Sequence, residues 1–283
     1  MSFLDHIQRC NNYDPRRVMP LFAGTRRIGL VRRDNAEALR NFPDVFRVAA
    51  DKVDLVARGD ADAISRAVDR VVDSLVTEKQ LPKTRNETFD VAERWGAPPV
   101  FRLDRGAVPF FGTRAYGVHL NGYRCDKPEL HLWVGRRAAN KSVAPDKLDN
   151  IVAGGIGNGH GLVETLVKEA DEEAMIPPSL IARAVSAGAV SYRMETPLGI
   201  RDDVLFVYDI EMPADFEPKN RDGEFSEFLL MPASAVLDRI RTTDAFKFNV
   251  NLVVLDFAVR RGILPPDDPE FLAVATGLHR PLD

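Results

Sequence analysis

Residues 154–176, GGIGNGHGLVETLVKEADEEAMI, join a glycine-rich run to a segment rich in carboxylates. Glu169, Glu172 and Glu173 are related by steps of three and four, so on a helix all three lie on one face. Carboxylates held that close persist when they are solvated, paired with cations or bound to a divalent ion. Four glycines among residues 154–159 allow the backbone to approach a ligand closely. The segment predicts a strand, a glycine loop and a helix that carries a metal-binding face.

A glutamate-rich helix alone is usually a solvated surface, and a glycine-rich loop alone is equally weak, but here the two occur together. The stretch resembles the Nudix box, Gly-x5-Glu-x7-Arg-Glu-U-x-Glu-Glu-x-Gly-U, in which U is a bulky apolar residue. The residues that match in register are Gly154, Glu169, Glu172, Glu173 and Ile176. Those that depart from the pattern are His160, Lys168, Ala170 and Met175, which stand at positions of Glu, Arg, U and Gly.

The resemblance implies a MutT-like hydrolase that uses Mg²⁺, or Mn²⁺ in its place, to cleave a diphosphate linkage in a small molecule. Glu169, Glu172 and Glu173 would bind the metal together with a loop carbonyl, for which Gly154 is the best candidate. The base that activates water is then Glu172 or an acid from a later loop, Glu224 or Glu227. Arg136, Lys147 and Lys168 are candidate substrate-binding cations, although a solvated role for Arg136 is the simpler interpretation.

Further segments resemble the Nudix proteins related to the N-terminal region of fungal thiamin pyrophosphokinase. They are 116–123 (YGVHLNGY), 146–150 (DKLDN), 204–209 (VLFVYD), 218–224 (PKNRDGE) and 246–249 (FKFN). Residues 10–12 and 42–46 are similar to the extra domain of that subfamily. This resemblance implies thiamin diphosphate, or an oxidised analogue, as the substrate. An aromatic residue expected ahead of Lys147 is replaced by Ala144.

Two other functions stay open. One is a pyrophosphatase acting on nucleotide derivatives, such as nucleoside di- or triphosphates. The other is a catalytically impaired Nudix-like binding module, because His160 removes a carboxylate and Lys168 lacks the planar fork of Arg. The residues that carry the metal face remain, so the sequence favours an active enzyme.

The pattern of elements predicts an α+β protein, with a small α+β domain in residues 1–112 and the catalytic domain in residues 113–283. The catalytic domain is expected to have the Nudix fold, a mixed β-sheet sandwiched between α-helices. Apolar spacing and capping residues predict helices. Their expected ranges are 3–10, 34–39, 61–77, 87–95, 161–174, 232–241 and 248–261. Strands are expected at 21–22, 28–31, 116–123, 129–135, 151–153, 189–195 and 204–210.

Composition limits the partners and the compartment. A net charge of −4 over 283 residues argues against nucleic acid as the main partner. No window approaches the roughly 18 apolar residues of a membrane span, and the first residues do not have the pattern of a signal peptide. Two cysteines, Cys10 and Cys125, form no disulfide framework, so a cytoplasmic location is expected. A homodimer is compatible with the resemblance.

Overall fold

The computed structural model describes residues 1–126, 129–280 and 282; residues 127, 128, 281 and 283, all in the predicted catalytic domain, lie outside the described residues. The elements of the first part are α1 (Phe3–Arg9), a 3₁₀ turn (Pro15–Arg17), β1 (Val18–Ala23), β2 (Arg26–Arg32), α2 (Arg33–Leu39), β3 (Phe46–Val48), β4 (Val53–Leu55), α3 (Ala61–Thr77), β5 (Thr88–Val91), β6 (Phe101–Asp104) and α4 (Val108–Phe111).

The elements of the second part follow from residue 114 onward. They are β7 (Arg114–Asp126), β8 (Glu129–Arg137), β9 (Leu148–Asn150), β10 (Val152–Gly155), α5 (Leu162–Ala174), α6 (Pro178–Ile181), β11 (Val185–Thr196), β12 (Gly199–Glu211), β13 (Phe225–Pro232), α7 (Ala233–Thr242), α8 (Val250–Arg260) and α9 (Phe271–Gly277).

The second part is built on a mixed sheet in the order β11-β12-β7-β8-β13, to which β10 adds beside β7 and β9 beside β8. β12 and β7 are parallel, whereas the other described pairs in this sheet are antiparallel. Side chains alternate between the two faces: Val207 packs with the core on one face, and Phe206 and Tyr208 pack on the other. Helices cover both faces, as the Nudix resemblance implies.

One face of this sheet packs against α5 and α6, where Val118 and Leu120 of β7 meet Leu166 and Ala170. The opposite face packs against α7 and α8, whose buried residues include Val236 and Val253. The apolar stripe of α5 therefore fixes which side of that helix faces the sheet. It leaves the carboxylates at positions 169, 172 and 173 beside β10.

The first part has its own small sheet, in the order β2-β1-β4-β3, and a separate core. Asp60 caps α3 by accepting a hydrogen bond from the Ala63 amide at 2.8 Å. Val68, Val71 and Leu75 then bury the apolar face of this helix in that core. The predicted helix 61–77 and the predicted hairpin at 21–31 are confirmed.

The opening helix departs from the predicted division at residues 112 and 113. Phe3 and Ile7 of α1 belong to the core of the second part, with Leu252 and Phe257 of α8. The hydrogen bond between His6 Nε2 and the Ile240 carbonyl, at 2.7 Å, holds the same contact. The division of the chain between residues 112 and 113 stays a proposal. α1 packs with the second part, although it stands in the first part in sequence.

The prediction of a helix at 87–95 is wrong, because Thr88–Val91 forms β5 and pairs with β6. Phe89 and Val91 are buried while Thr88 is exposed, which is the alternation of a strand. Residues 92–95, the rest of the predicted helix, are not helical either. In the described part of the chain, no helix has both the length and the apolar character needed to cross a bilayer.

Candidate active site

α5 presents its carboxylates to the edge of β10. Glu173 is buried, with 4% of its surface exposed, and accepts a hydrogen bond from the Ala153 amide at 2.8 Å. Glu169 lies under Gly154, and Glu172 lies nearer the solvent. The structure therefore brings Gly154, Glu169 and Glu173 together, whereas Glu172 stands at the rim.

Gly154 is required by this packing. A Cβ built on this residue would lie 2.3 Å from Cγ of Glu169, so any larger side chain would displace that carboxylate. The sequence placed Gly154 and Gly155 in a loop, but both residues end β10 and pair with Val118 and Gly117 of β7. β10 extends beyond the predicted strand because its two glycines have no side chains. Glu169 can therefore pack closely on Gly154, and Phe89 on Gly155.

Burial disfavours the charged forms of these carboxylates. It raises the pKa of Glu173 well above the ordinary value, despite the hydrogen bond from Ala153. Burial also raises the pKa of Glu169, although Lys168 acts in the opposite direction. A bound cation would offset both effects, since an opposite charge nearby favours the ionised form.

Lys168 provides a local positive charge. Its Nζ lies 3.1 Å from Oε1 of Glu169 and 3.2 Å from Oε2 of Glu172. Among the described residues, no three Asp, Glu, His or Cys side chains converge closely enough to hold a metal ion in this arrangement. A divalent cation bound at these carboxylates would compete with Lys168 for Glu169 and Glu172. The donor set nonetheless fits Mg²⁺, because carboxylate and backbone oxygens are the ligands that this ion prefers.

A cleft of about 390 Å³ opens beside β10, between the two parts of the chain. Its cationic lining residues are Arg85, Arg105, Arg137, Lys141, Arg201 and Lys247. Phe89, Tyr116 and Phe248 supply aromatic surface to the same cleft. A cleft with this lining suits a phosphorylated molecule that also carries a flat ring.

Charged residues form a network at the sheet end of the cleft. Asp149 is fully buried; Arg137 Nη1 and Lys247 Nζ lie 2.8 and 2.9 Å from its Oδ2. Burial alone would raise the pKa of Asp149, but Lys247 and Arg137 bring it below the ordinary value. Arg137 also lies 2.6 Å from Oε1 of Glu224, and Lys141 lies 2.5 Å from Oε2. Glu224 is thereby fixed toward the cleft.

Two of the predicted substrate-binding cations lie elsewhere. Neighbouring residues in a strand point to opposite faces, so Arg136 points away from the face of β8 that carries Arg137. There it pairs with Glu227. Lys147 pairs with Asp244, 3.1 Å away, and neither it nor Arg136 is among the cleft-lining residues. Lys168 is next to the carboxylates, so it is the one member of the predicted set that reaches the site.

Several lining residues were missed by reasoning from the sequence. Arg137 follows Arg136 in the sequence, but nothing in a lone Arg pair shows which member faces inward until the strand register is known. Lys247 was noted only as part of the FKFN segment, and its contact with Asp149 spans 98 positions. Phe89 and Arg105 come from the first part of the chain, which carried no recognised chemical motif.

His119 is a buried neutral group at the wall of the cleft. Its Nδ1 lies 2.8 Å from Oδ1 of Asn150. Burial, assisted by the charge of Lys247, lowers the pKa of His119 to about 4. An imidazole in this position is uncharged at neutral pH, so it shapes the cleft without adding to its positive charge.

These features are typical of a class of hydrolases. In that class a strand of a mixed sheet leads through a glycine-rich turn into a helix that carries carboxylates. A family model described as "Domain of unknown function (DUF4743)" matches residues 2–115, and one described as "NUDIX domain" matches residues 121–252. The relative "Nudix hydrolase 20, chloroplastic" of Arabidopsis thaliana is 38% identical, over 96% of this chain and 76% of its own. "Nudix hydrolase 24, chloroplastic" of the same plant is 37% identical, with the same coverage.

The chain belongs to the Nudix hydrolase family. It is a Nudix-type diphosphate hydrolase in which a DUF4743 domain precedes the Nudix domain. Hydrolases of this family generally use a divalent metal ion such as Mg²⁺. Among solved structures, DR0079 from Deinococcus radiodurans is similar with a TM-score of 0.47 and 22% identity, over 59% of this chain and 97% of that one.

Proposed function

We propose that the protein hydrolyses the diphosphate of thiamin diphosphate, or of an oxidised analogue, to the monophosphate in a reaction that depends on Mg²⁺. Water attacks a phosphorus atom of the diphosphate, the bridging P–O bond breaks, and inorganic phosphate leaves. The observation that carries the hydrolytic reaction is the contact of Glu169 and Glu173 with β10, directly beside a cationic cleft. The thiamin part of the proposal is supported by the resemblance of the flanking motifs.

Glu169, Glu172, Glu173 and the Gly154 carbonyl would hold the ion. The ion supplies charge neutralisation of the diphosphate and acidifies bound water. Lys141 and Arg137 line the cleft, where their positive charges would attract the phosphate groups. Both also pair with Glu224, whose side chain lines the same cleft. Phe89 and Phe248 would pack against the organic part of the substrate.

Glu224 is our proposed general base. Its carboxylate lines the cleft and is held in place by Arg137 and Lys141, whereas Glu227, the neighbouring candidate, pairs with Arg136 on the other side of the strand. A positioned carboxylate can take the proton of the attacking water. Glu172 remains the alternative base, because it lies at the solvent-exposed rim of the carboxylate set.

A substrate panel with and without metal tests the function. The purified protein is incubated with thiamin diphosphate, its oxidised analogues, nucleoside di- and triphosphates and nucleotide sugars, each with Mg²⁺ or with a chelator. We expect monophosphate and phosphate from the thiamin series, and none with the chelator. Turnover confined to nucleotide derivatives would replace the thiamin assignment. No turnover of any diphosphate would support the binding-module alternative.

A further inference from the structure

His160 stands where the box pattern has a carboxylate, and in the structure its side chain pairs with Glu164. Its Nδ1 lies 3.0 Å from Oε1 of Glu164, one turn along α5, and its side chain is about half exposed (46%). Lys168, one turn beyond Glu164, pairs instead with Glu169 and Glu172. The loop ahead of α5 therefore adds no carboxylate to the site.

The first part of the chain lies against this same loop. The Asn158 amide donates to the Thr88 carbonyl at 2.8 Å, which ties the glycine loop to the start of β5. The ring of Phe89 covers Gly155 so closely that a Cβ there would lie 2.6 Å from it. These two contacts fix the backbone on either side of the loop and so fix the position of residue 87.

Glu87 faces the carboxylate helix from that position. With Glu169, Lys168 and His160 it lines a second cleft, of about 270 Å³, on the side of Gly155 next to α5. Its charge is among the causes that raise the pKa of Glu169, which agrees with the proximity of the two groups. Arg105 Nη1 donates to Oε2 of Glu87 at 2.8 Å, and among the described residues no donor contacts Oε1.

We infer that Glu87, from the N-terminal domain, supplies to the metal site the carboxylate that His160 does not, as a ligand of the cation directly or through a bound water. This inference rests on the proposed function. A carboxylate from a different part of the chain restores the negative charge of the site without restoring the motif. It also gives the N-terminal domain a role in the chemistry, because the cation would join the two parts of the chain.

Metal binding without substrate tests the inference. Mn²⁺ is titrated into the full-length, metal-free protein, and free Mn²⁺ is followed by electron paramagnetic resonance. We expect Glu87→Gln to weaken Mn²⁺ binding by about tenfold, within the range seen when a carboxylate that supports a metal site is lost. Glu93→Gln, an exposed carboxylate on the same segment, is expected to bind as the wild type does. Thermal unfolding confirms that each variant is folded.

Two further variants separate a ligand from a structural residue. Arg105→Gln removes the same ion pair but keeps the Glu87 carboxylate, so it is expected to retain Mn²⁺ affinity. In the double variant Glu87→Gln/His160→Glu, the carboxylate returns at the motif position, and affinity is expected to recover. Wild-type affinity in Glu87→Gln, or equal weakening in Arg105→Gln, would overturn the inference. Failure of the wild type itself to bind Mn²⁺ would instead refute the metal site of the proposed function.

Discussion

Glu173 is held in an environment that opposes its charge. It is almost completely buried, and its pKa is raised by that burial. A carboxylate with a raised pKa in the folded state costs stability once the pH is above its ordinary value. A residue that is unfavourable for folding and adjacent to the cleft is typical of functional sites.

Glu173→Gln is expected to lower turnover by roughly 10²–10³-fold while leaving the fold intact. The amide keeps the shape and can still accept the Ala153 hydrogen bond, but it lacks the charge that a metal ligand must supply. Phosphate release at limiting Mg²⁺ measures the effect. Asp171→Asn, whose half-exposed side chain lies on the same helix, serves as the control. Wild-type phosphate release by Glu173→Gln would show that the metal assignment is wrong.

His119 should make the protein sensitive to acid. Its folded-state pKa is about 4, below the value of about 6.5 for the unfolded chain, so the unfolded state binds more protons between these values. Stability is therefore lost as the pH falls from about 6.5 towards 4. For one such group the loss at pH 5 is on the order of 2 kcal/mol. Urea unfolding at pH 7 and pH 5 measures it.

His119→Gln is the matched variant for that experiment. Glutamine can retain a hydrogen bond to Asn150 but does not titrate, so the difference in unfolding free energy between pH 7 and pH 5 is expected to shrink. Whatever the substitution itself costs is present at both pH values and cancels. An identical pH dependence in the variant and the wild type would mean that other groups control acid sensitivity.

At the scale of elements, the contact between β10 and α5 sets the position of Glu169. Gly154→Ala would place a methyl group 2.3 Å from Cγ of Glu169, and the side chain, rather than the backbone, has to move. We expect Mn²⁺ affinity to fall by about 10–100-fold with little change in thermal stability. Gly157→Ala is the control, because its Cβ would meet its nearest neighbour at an ordinary 3.5 Å. Unchanged affinity in Gly154→Ala would contradict this account.

Elements with a strong local signal could be predicted from the sequence. α3 and α5 carry apolar residues at helical spacing, and β12 is rich in strand-forming residues, so their positions follow from neighbouring residues alone. β5 could not be predicted in this way. It has four residues, and its stability depends on pairing with β6, ten residues further along the chain. β13 and α9 were missed as well.

The candidate site divides in the same manner. Glu169, Glu172 and Glu173 were identified because a helix places residues three and four apart on one face. Arg137, Lys247 and Glu87 reach the site only through the register of β8, the loop before α8 and the docking of β5. A single sequence does not contain those distances. The carboxylates of α5 could therefore be predicted, but the residues that other elements bring to them could not.

At the scale of the whole molecule, the two parts of the chain depend on each other. The cleft has walls from both, and Asn35 Nδ2 donates to the Leu198 carbonyl at 2.9 Å, across their junction. α1 crosses in the opposite direction and completes the core under α8. The first part of the chain thus supplies one wall of the cleft.

Phe3→Ala is expected to destabilise the catalytic part of the protein by about 3–5 kcal/mol, although it lies far from the site in sequence. Phe3 is 1% exposed, and the guanidinium of Arg241 lies 4.2 Å from the centre of its ring. Gln8→Ala, exposed on the same helix, should change stability by less than about 0.5 kcal/mol. Urea unfolding compares the two. Equal midpoints would show that α1 does not contribute to that core.

The docking of α1 also sets an order of events on the ribosome. His6 bonds to Ile240 and Asn251, which follow it by 234 and 245 positions. At a synthesis rate of about 5–20 residues per second, α1 waits roughly 12–50 s for those partners to be made. During that interval the core of the N-terminal domain can close, while Phe3 and Ile7 have no surface to cover them. The apolar residues of α1 therefore stay exposed on the nascent chain until α8 has been made.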